Sequence, residues 1–159
     1  MARITLKDSG VFFDKANHTY ELNGKMLQGI TGILQRQLFS TEYEGIPWAI
    51  VKKAGEYGSQ VHDSCEDFDK NWNNDGSQEV QDYISICKEY GFTHEASEYT
   101  VTDGSNFASN IDKVFRVEDN TLDFDDLKNY GKLTADKLEK ARWQLSIYAY
   151  FFELVNPKA

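Results

Sequence analysis

Apolar and polar residues alternate in twos near the start of the chain, recur at threes and fours through its middle, and alternate again before a last helical stretch. Val11-Phe12-Phe13-Asp14 and Thr19-Tyr20-Glu21-Leu22 carry the period of strands with one buried face. Asn23-Gly24 predicts a tight turn into Lys25-Met26-Leu27, so residues 11–30 read as a β-hairpin. Ile30-Thr31-Gly32-Ile33-Leu34 opens a short helix reaching about Leu38, with Thr31 as its candidate cap. Residues 39–47 are loop-like and end at Pro47. Two helices are predicted next, over residues 48–56 and 58–72. In the second, Val61, Cys65 and Phe68 have the spacing of a buried stripe, and His62 and Glu66 sit four apart on a neighbouring face. Asn73-Asn74-Asp75-Gly76-Ser77 is a turn cluster. Residues 79–90 are helical, with Val80, Tyr83, Ile84 and Cys87 inward and Gly91 as the stop.

Strand patterns follow over residues 94–102, 107–117 and 121–130, with a tight turn at Asp119-Asn120. A long helix is expected over 136–155, with Leu138, Ala141, Leu145, Tyr148 and Phe152 on its inner face. The order is helix, three-stranded antiparallel ribbon, helix, which defines an α/β class. The chain ends at Asn156-Pro157-Lys158-Ala159, where a parallel sheet would receive another strand. The expectation is therefore a final strand that is missing or truncated. One domain is expected over 1–159, with a hairpin-and-helix extension over 1–47 and the core over 48–159.

Composition narrows the class. A chain of 159 residues, 40% hydrophobic and 14% aromatic, supports one folded core. No apolar run approaches the ~20 residues of a membrane span, and the first residues lack the apolar stretch of a secretory signal. A cytoplasmic protein is expected. Cys65 and Cys87 read as reduced, partly buried thiols. A zinc site from His62, Cys65, Cys87 and His94 lacks the paired spacing of zinc motifs. The net charge of −9 argues against a uniformly basic nucleic-acid face.

The candidate chemistry lies in the second half. Alternation puts Leu122, Phe124, Asp126 and Lys128 on one face of the third strand. The first two enter the core, so Asp126 and Lys128 need partners where that face continues. Either they pair at a solvated strand end, or Asp126 meets a metal and Lys128 a phosphate or water. Counting outward from Asp119-Asn120 brings Asp112 opposite the neighbourhood of Asp126. Two carboxylates brought together repel unless a cation lies between them. Mg²⁺ takes one or two protein carboxylates and keeps its waters, and Mn²⁺ fits equally. Glu98, on the first strand, can complete such a shell through a water. His62, Gln144 and Tyr148 taken singly read as ordinary helix-face residues.

Taken in order, these segments resemble the PD-(D/E)XK nuclease superfamily, most closely its RecB-type and lambda-exonuclease-like branch of bacteria and phages. They are Gly58-Ser-Gln-Val-His62, Glu98, Ala108-Ser-Asn-Ile-Asp112, Asp126-Leu-Lys128 and Gln144-Leu-Ser-Ile-Tyr148. The hairpin followed by Gly29-Ile30-Thr31-Gly32-Ile33-Leu34 is similar to the leading segment of phage proteins in that branch. The resemblance implies a restriction-endonuclease-like core and a Mg²⁺- or Mn²⁺-dependent DNA exonuclease. It implies His62, Asp112, Asp126 and the Leu127 carbonyl as metal ligands, and Lys128 as the catalytic lysine. Gln144 and Tyr148 would position the nucleic-acid strand or brace the site. It also implies a bacterial or phage-infected cell, a recombinase or single-strand-binding protein as further partner, and oligomers such as the rings of relatives. Asn129 departs from the threonine often found after the lysine, and the last strand is missing. Two rival readings remain: a catalytically silent protein of this fold that binds a protein partner, and an unrelated acidic domain in which Asp112 and Asp126 lie far apart.

Overall fold

The structure, a computed structural model, describes residues 3–129 and 131–157. Six strands and four helices follow in the order β1 (Phe12–Asp14), β2 (Thr19–Leu22), β3 (Lys25–Gly29), α1 (Ile30–Gln37), α2 (Trp48–Asn71), α3 (Gln78–Tyr90), β4 (Thr93–Thr102), β5 (Phe107–Glu118), β6 (Thr121–Asp125) and α4 (Ala135–Val155). The protein is therefore mixed α/β with a mostly antiparallel sheet. No described helix is long and apolar enough to cross a membrane.

The hairpin forms as its alternation predicts. Asn23 and Gly24 both take positive φ, 51° and 81°, which matches the twist of the flanking strands. A feature the sequence pattern does not give is that β3 then joins β5 in parallel, Gln28 opposite Phe107 and Gly29 opposite Ala108. One edge of β5 is paired along its length with β4. The other edge is divided. β3 takes its first residues and β6 takes Lys113 to Glu118, leaving Ser109–Asp112 between two strand ends.

Helices cover both faces. Ile30 and Leu34 of α1 pack with Val101, Ile111, Val114 and, from α4, Tyr148, Phe151 and Phe152. On the opposite face Cys65 of α2 packs with Val80 and Tyr83 of α3 and with Phe115. Burial pushes the Cys65 thiol up to about 11, and both cysteines are free. Thiol reagents at pH 8 should therefore leave Cys65 unmodified in the native protein and label it in denaturant, read by mass spectrometry.

Several expectations are corrected. Residues 48–71 form one helix, not two. Neither Gly55 nor Gly58 takes a positive φ, and without a left-handed residue a glycine only weakens a helix. The left-handed terminator is Trp72, φ 58°. Thr31 does not cap α1; Gly29 stands at the cap without a side-chain bond. Leu138 is exposed. The buried residue of that turn is Lys140, whose Nζ bonds Gln35 Oε1 at 2.6 Å and pairs with Glu42. The third strand ends at Asp125 rather than reaching residue 130, and Tyr130 lies outside the described residues, as do Lys158 and Ala159.

The β5–β6 turn is held by a salt bridge. Arg116 donates from Nε and Nη2 to Glu95, at 3.0 and 2.8 Å, and to the carbonyls of Asp119 and Ile4. Glu95 is the extra residue at the bulge of β4. Hydrogen bonding from Arg116 holds its carboxyl below the usual glutamate value. A depressed carboxylate stabilises the fold above its unfolded pKa and ceases to do so as pH falls through the folded value. Glu95→Gln should therefore lower the melting temperature at pH 7, and the gap from the native protein should close by about pH 3.

Candidate functional site

The gap in the β5 edge is where the chemistry collects. Beyond Lys113 opposite Asp125, the ladder would next pair Asp112 with Asp126. It does not continue. The backbone N–H of Leu127 donates instead to Asp112 Oδ2 at 2.9 Å. A side chain has captured a ladder donor, and the chain bends away from the strand. Asp126 thus leaves the sheet but stays beside Asp112, its side chain only 4% exposed. The reading in which these two aspartates lie far apart is excluded.

A cavity of about 390 Å³ opens at this point. Its lining includes His62, Glu98, Asp112, Asp126, Leu127, Lys128, Gln144 and Tyr148, all the residues singled out from the sequence. Four elements and one connecting segment bring them there. Helix α2 supplies His62, and β4 and β5 supply Glu98 and Asp112. The segment after β6 supplies Asp126 to Lys128, and α4 supplies Gln144 and Tyr148.

The electrostatics follow from burial. Loss of solvent, then the charge of Asp126 alongside, raises the Asp112 carboxyl well above the usual aspartate value. Lys128 Nζ stands 2.6 Å from Asp126 Oδ2. That contact is an ion pair without hydrogen-bond geometry, because Asp126 Oδ2 is a buried acceptor with no hydrogen-bond partner among the described residues. Two further orphan acceptors, Asn110 Oδ1 and Gln144 Oε1, belong to residues lining the same cavity. Asp126 Oδ2 already has the Lys128 ammonium beside it, so the two amide oxygens, Asn110 Oδ1 and Gln144 Oε1, are the buried acceptors around this cavity left for a donor, water or cation.

His62 and Leu127 reach the site but bond to each other. His62 Nε2 lies 2.9 Å from the Leu127 carbonyl oxygen, and Nδ1 lies 3.8 Å from Asp112 Oδ2. A carbonyl has two lone pairs, so Leu127 can hold His62 and still face a cation. Gln144 Nε2 donates to the Tyr148 hydroxyl at 2.7 Å, and burial raises the Tyr148 pKa well above its ordinary value.

Glu98 stands opposite Asp112 in the register, between Ser97–Lys113 and Tyr99–Ile111. Its φ of 48° is left-handed, a strained setting for a glutamate inside a strand. Its carboxylate lies 3.2 Å from Lys15 Nζ. Lys15 was not singled out from the sequence. Burial acts to lower its pKa, but hydrogen bonds with Asp63 and Glu98 win and raise it. Nothing local marks Lys15; it lies in the turn after β1 and becomes a cavity residue only because β3 joins β5.

The donor set can be tested against a divalent ion. Among the described residues, no group of three or more His, Cys, Asp or Glu side chains is arranged to hold a metal. Two carboxylates with an orphan oxygen and a neighbouring carbonyl do match Mg²⁺, which needs few protein ligands and retains water. The oxygen set fits. The zinc combination of His62, Cys65, Cys87 and His94 does not: Cys65 and Cys87 pack in the apolar cluster between α2, α3 and β5.

The sequence reading also passed over a second buried network on the opposite face of the sheet. Lys113 is 2% exposed, and its Nζ donates to Asp69 Oδ2 at 2.5 Å and to Ser97 Oγ at 2.8 Å. The Tyr83 hydroxyl also donates to Asp69. Asp69 lies four residues after Cys65 on the buried stripe of α2, which is the signal that could have found it. Comparison of the chain with protein-family models, with curated proteins and with solved structures yields no match.

Proposed function

We propose that this protein is a metal-dependent nuclease of the PD-(D/E)XK type, hydrolysing backbone phosphodiesters of DNA from an end. The observation that carries the reading is the meeting of Asp112 and Asp126 in one cavity, with Lys128 paired to Asp126 alongside. The order of a helix, the β4–β5–β6 ribbon and α4 supports a restriction-endonuclease-like core.

Asp112 and Asp126 would hold Mg²⁺ or Mn²⁺, with the Leu127 carbonyl beside them. Such an ion supplies a polarised phosphoryl oxygen and an acidified water. The chain's own groups do the remainder. Lys128, one-third exposed at the cavity, offers a positive charge to oxygens that gain charge during hydrolysis. His62 fixes the 126–128 segment through the Leu127 carbonyl. Gln144 and Tyr148 brace the cavity wall through their mutual hydrogen bond.

The test is end-labelled linear and circular DNA incubated with Mn²⁺ and with the native protein or Lys128→Ala. Digestion of linear DNA alone, slowed roughly 10²- to 10³-fold in the variant, is expected. Equal behaviour of the two proteins ends the reading.

A further inference from the structure

The first half of α2 is the least covered helix in the protein. From Trp48 to Gln60 every residue except Val51 and Gly58 is exposed. Trp48 is 74% exposed, an unusual setting for so large an apolar surface. The remainder of α2 is anchored on α3 and β5 through Cys65 and its neighbours. The exposed half is an arm held out beside the cavity.

One face of that arm leads into the cavity. Gly55, Ser59 and His62 line it, and Trp48 and Lys52 continue the same spacing of fours and threes toward the helix start. Trp48 stands about 10 Å beyond Gly55 along the helix axis. Lys52 Nζ lies 5.3 Å from the Trp48 ring centroid and 3.7 Å from Glu56. The face therefore runs from an exposed indole, past an exposed cation, over glycine backbone, to the buried carboxylates.

The glycines are the second observation. A glycine inside a helix destabilises it relative to alanine. Packing does not require either one, since a Cβ at Gly55 or Gly58 would meet nothing within 4 Å. Both line the cavity. Bare backbone facing an open cavity is what close approach by a ligand needs.

Charge is uneven along the chain. From Asp63 to Glu89 there are eight acidic residues and two basic ones. From Lys128 to Arg142 there are five basic and two acidic. Lys52 and Lys53 on the arm, and Lys128 on the cavity lining, put cations near the approach to the site. Residues 63–89 account for six of the nine net negative charges, while the cavity end of the approach carries Asp63, Glu98, Asp112 and Asp126 beside Lys15 and Lys128.

We propose that the α2 arm is a track for a single strand of nucleic acid. Trp48 stacks on an unpaired base, Lys52 meets backbone phosphate, and the strand passes over Gly55 and Gly58 into the cavity. Stacking on an exposed aromatic beside cations is the general means of holding single strands without reading sequence. A stacked duplex presents no free base face to Trp48 along its length. This deepens the proposed nuclease reading, because it names unpaired strand as what that site receives, and it rests on that reading for the chemistry alone.

Binding is measured by fluorescence anisotropy of labelled ten-nucleotide oligothymidylate and oligouridylate, and of a ten-base-pair duplex, with chelator present so that hydrolysis does not contribute. At least one single strand should bind about tenfold more tightly than the duplex. Trp48→Ala should weaken that binding about tenfold, given ~1–3 kcal/mol per stacked base, while Trp48→Phe restores part of it. Trp72→Asn, which removes an equally exposed indole at the other end of α2, should leave binding unchanged. Gly58→Ala should raise the melting temperature and weaken binding together. Overturning results are equal binding by Trp48→Ala, duplex bound as tightly as single strand, no binding to any oligonucleotide, or a dimer that Trp48→Ala dissociates. Hydrolysis that fails while strand binding persists would remove the nuclease reading and leave the track; hydrolysis that survives with Trp48 irrelevant would do the reverse.

Discussion

Asp126→Asn should remove essentially all of the proposed hydrolysis, by about 10³-fold or more, while the protein stays folded. The loss is large because Asp126 would lend a metal one of only two carboxylates in the cavity, and a neutral amide is a poor ligand for a hard cation. The fold survives for a separate reason. The substitution removes one of two like charges held close together in a buried place. The new amide can donate to the Asp112 carboxylate beside it. Melting in chelator should show a transition no lower than that of the native protein. Calorimetric titration with Mn²⁺ should give heat with the native protein and none with the variant. Hydrolysis that survives in Asp126→Asn would show that these carboxylates hold no catalytic ion.

Lys113→Ala gives the largest loss of stability. Lys113 and Asp69 are both within about 5% of full burial, and the ammonium also lies 5.5 Å from the Tyr83 ring centroid. Removing the lysine leaves the Asp69 carboxylate inside the protein, among the described residues, with the Tyr83 hydroxyl and with His94 Nε2 at 3.7 Å. Breaking one side of a buried pair costs about 3–5 kcal/mol. For a chain of this length the melting temperature should fall by roughly 6–20 °C. The double replacement Asp69→Leu with Lys113→Met should recover most of that loss, because it removes both charges and keeps apolar volume. Thermal denaturation followed by circular dichroism reads both variants. A single variant that melts with the native protein would mean that Asp69 is solvated in solution.

These two residues illustrate why Ile111-Asp112-Lys113 was only half legible. Adjacent residues of a strand face opposite sides, so the tripeptide sends an acid to the cavity and a lysine beneath α2 and α3. The sequence signal for Asp112 was strong because other acidic and basic residues follow at suggestive distances. Lys113 had only Asp69 to pair with, 44 residues away on a helix, and no local spacing connects them. The same limit applies to Lys15, brought to Glu98 by the hairpin's union with β5.

The negative charge is another case. As a sum, −9 argued against nucleic acid. As a distribution, six of the nine fall between Asp63 and Glu89, the cavity holds both carboxylates and lysines, and Lys52 and Lys53 stand on the arm beside it. A sum over the chain has no direction, and binding responds to the local field.

The sequence by itself determined the local elements: the hairpin with its Asn23-Gly24 turn, α3 with its stop at Gly91, and the β5–β6 ribbon. These depend on side-chain periodicity and turn chemistry within a few residues, which a linear pattern records directly. It also named eight of the residues that line the cavity. Only the tertiary structure decided that α2 is one helix, that β6 stops at Asp125, and that His62 bonds the Leu127 carbonyl. Each of those depends on a partner far along the chain, or on packing that overrides a weak local preference. Contacts between distant segments are set by the free energy of the whole fold, and spacing along the chain does not encode them singly.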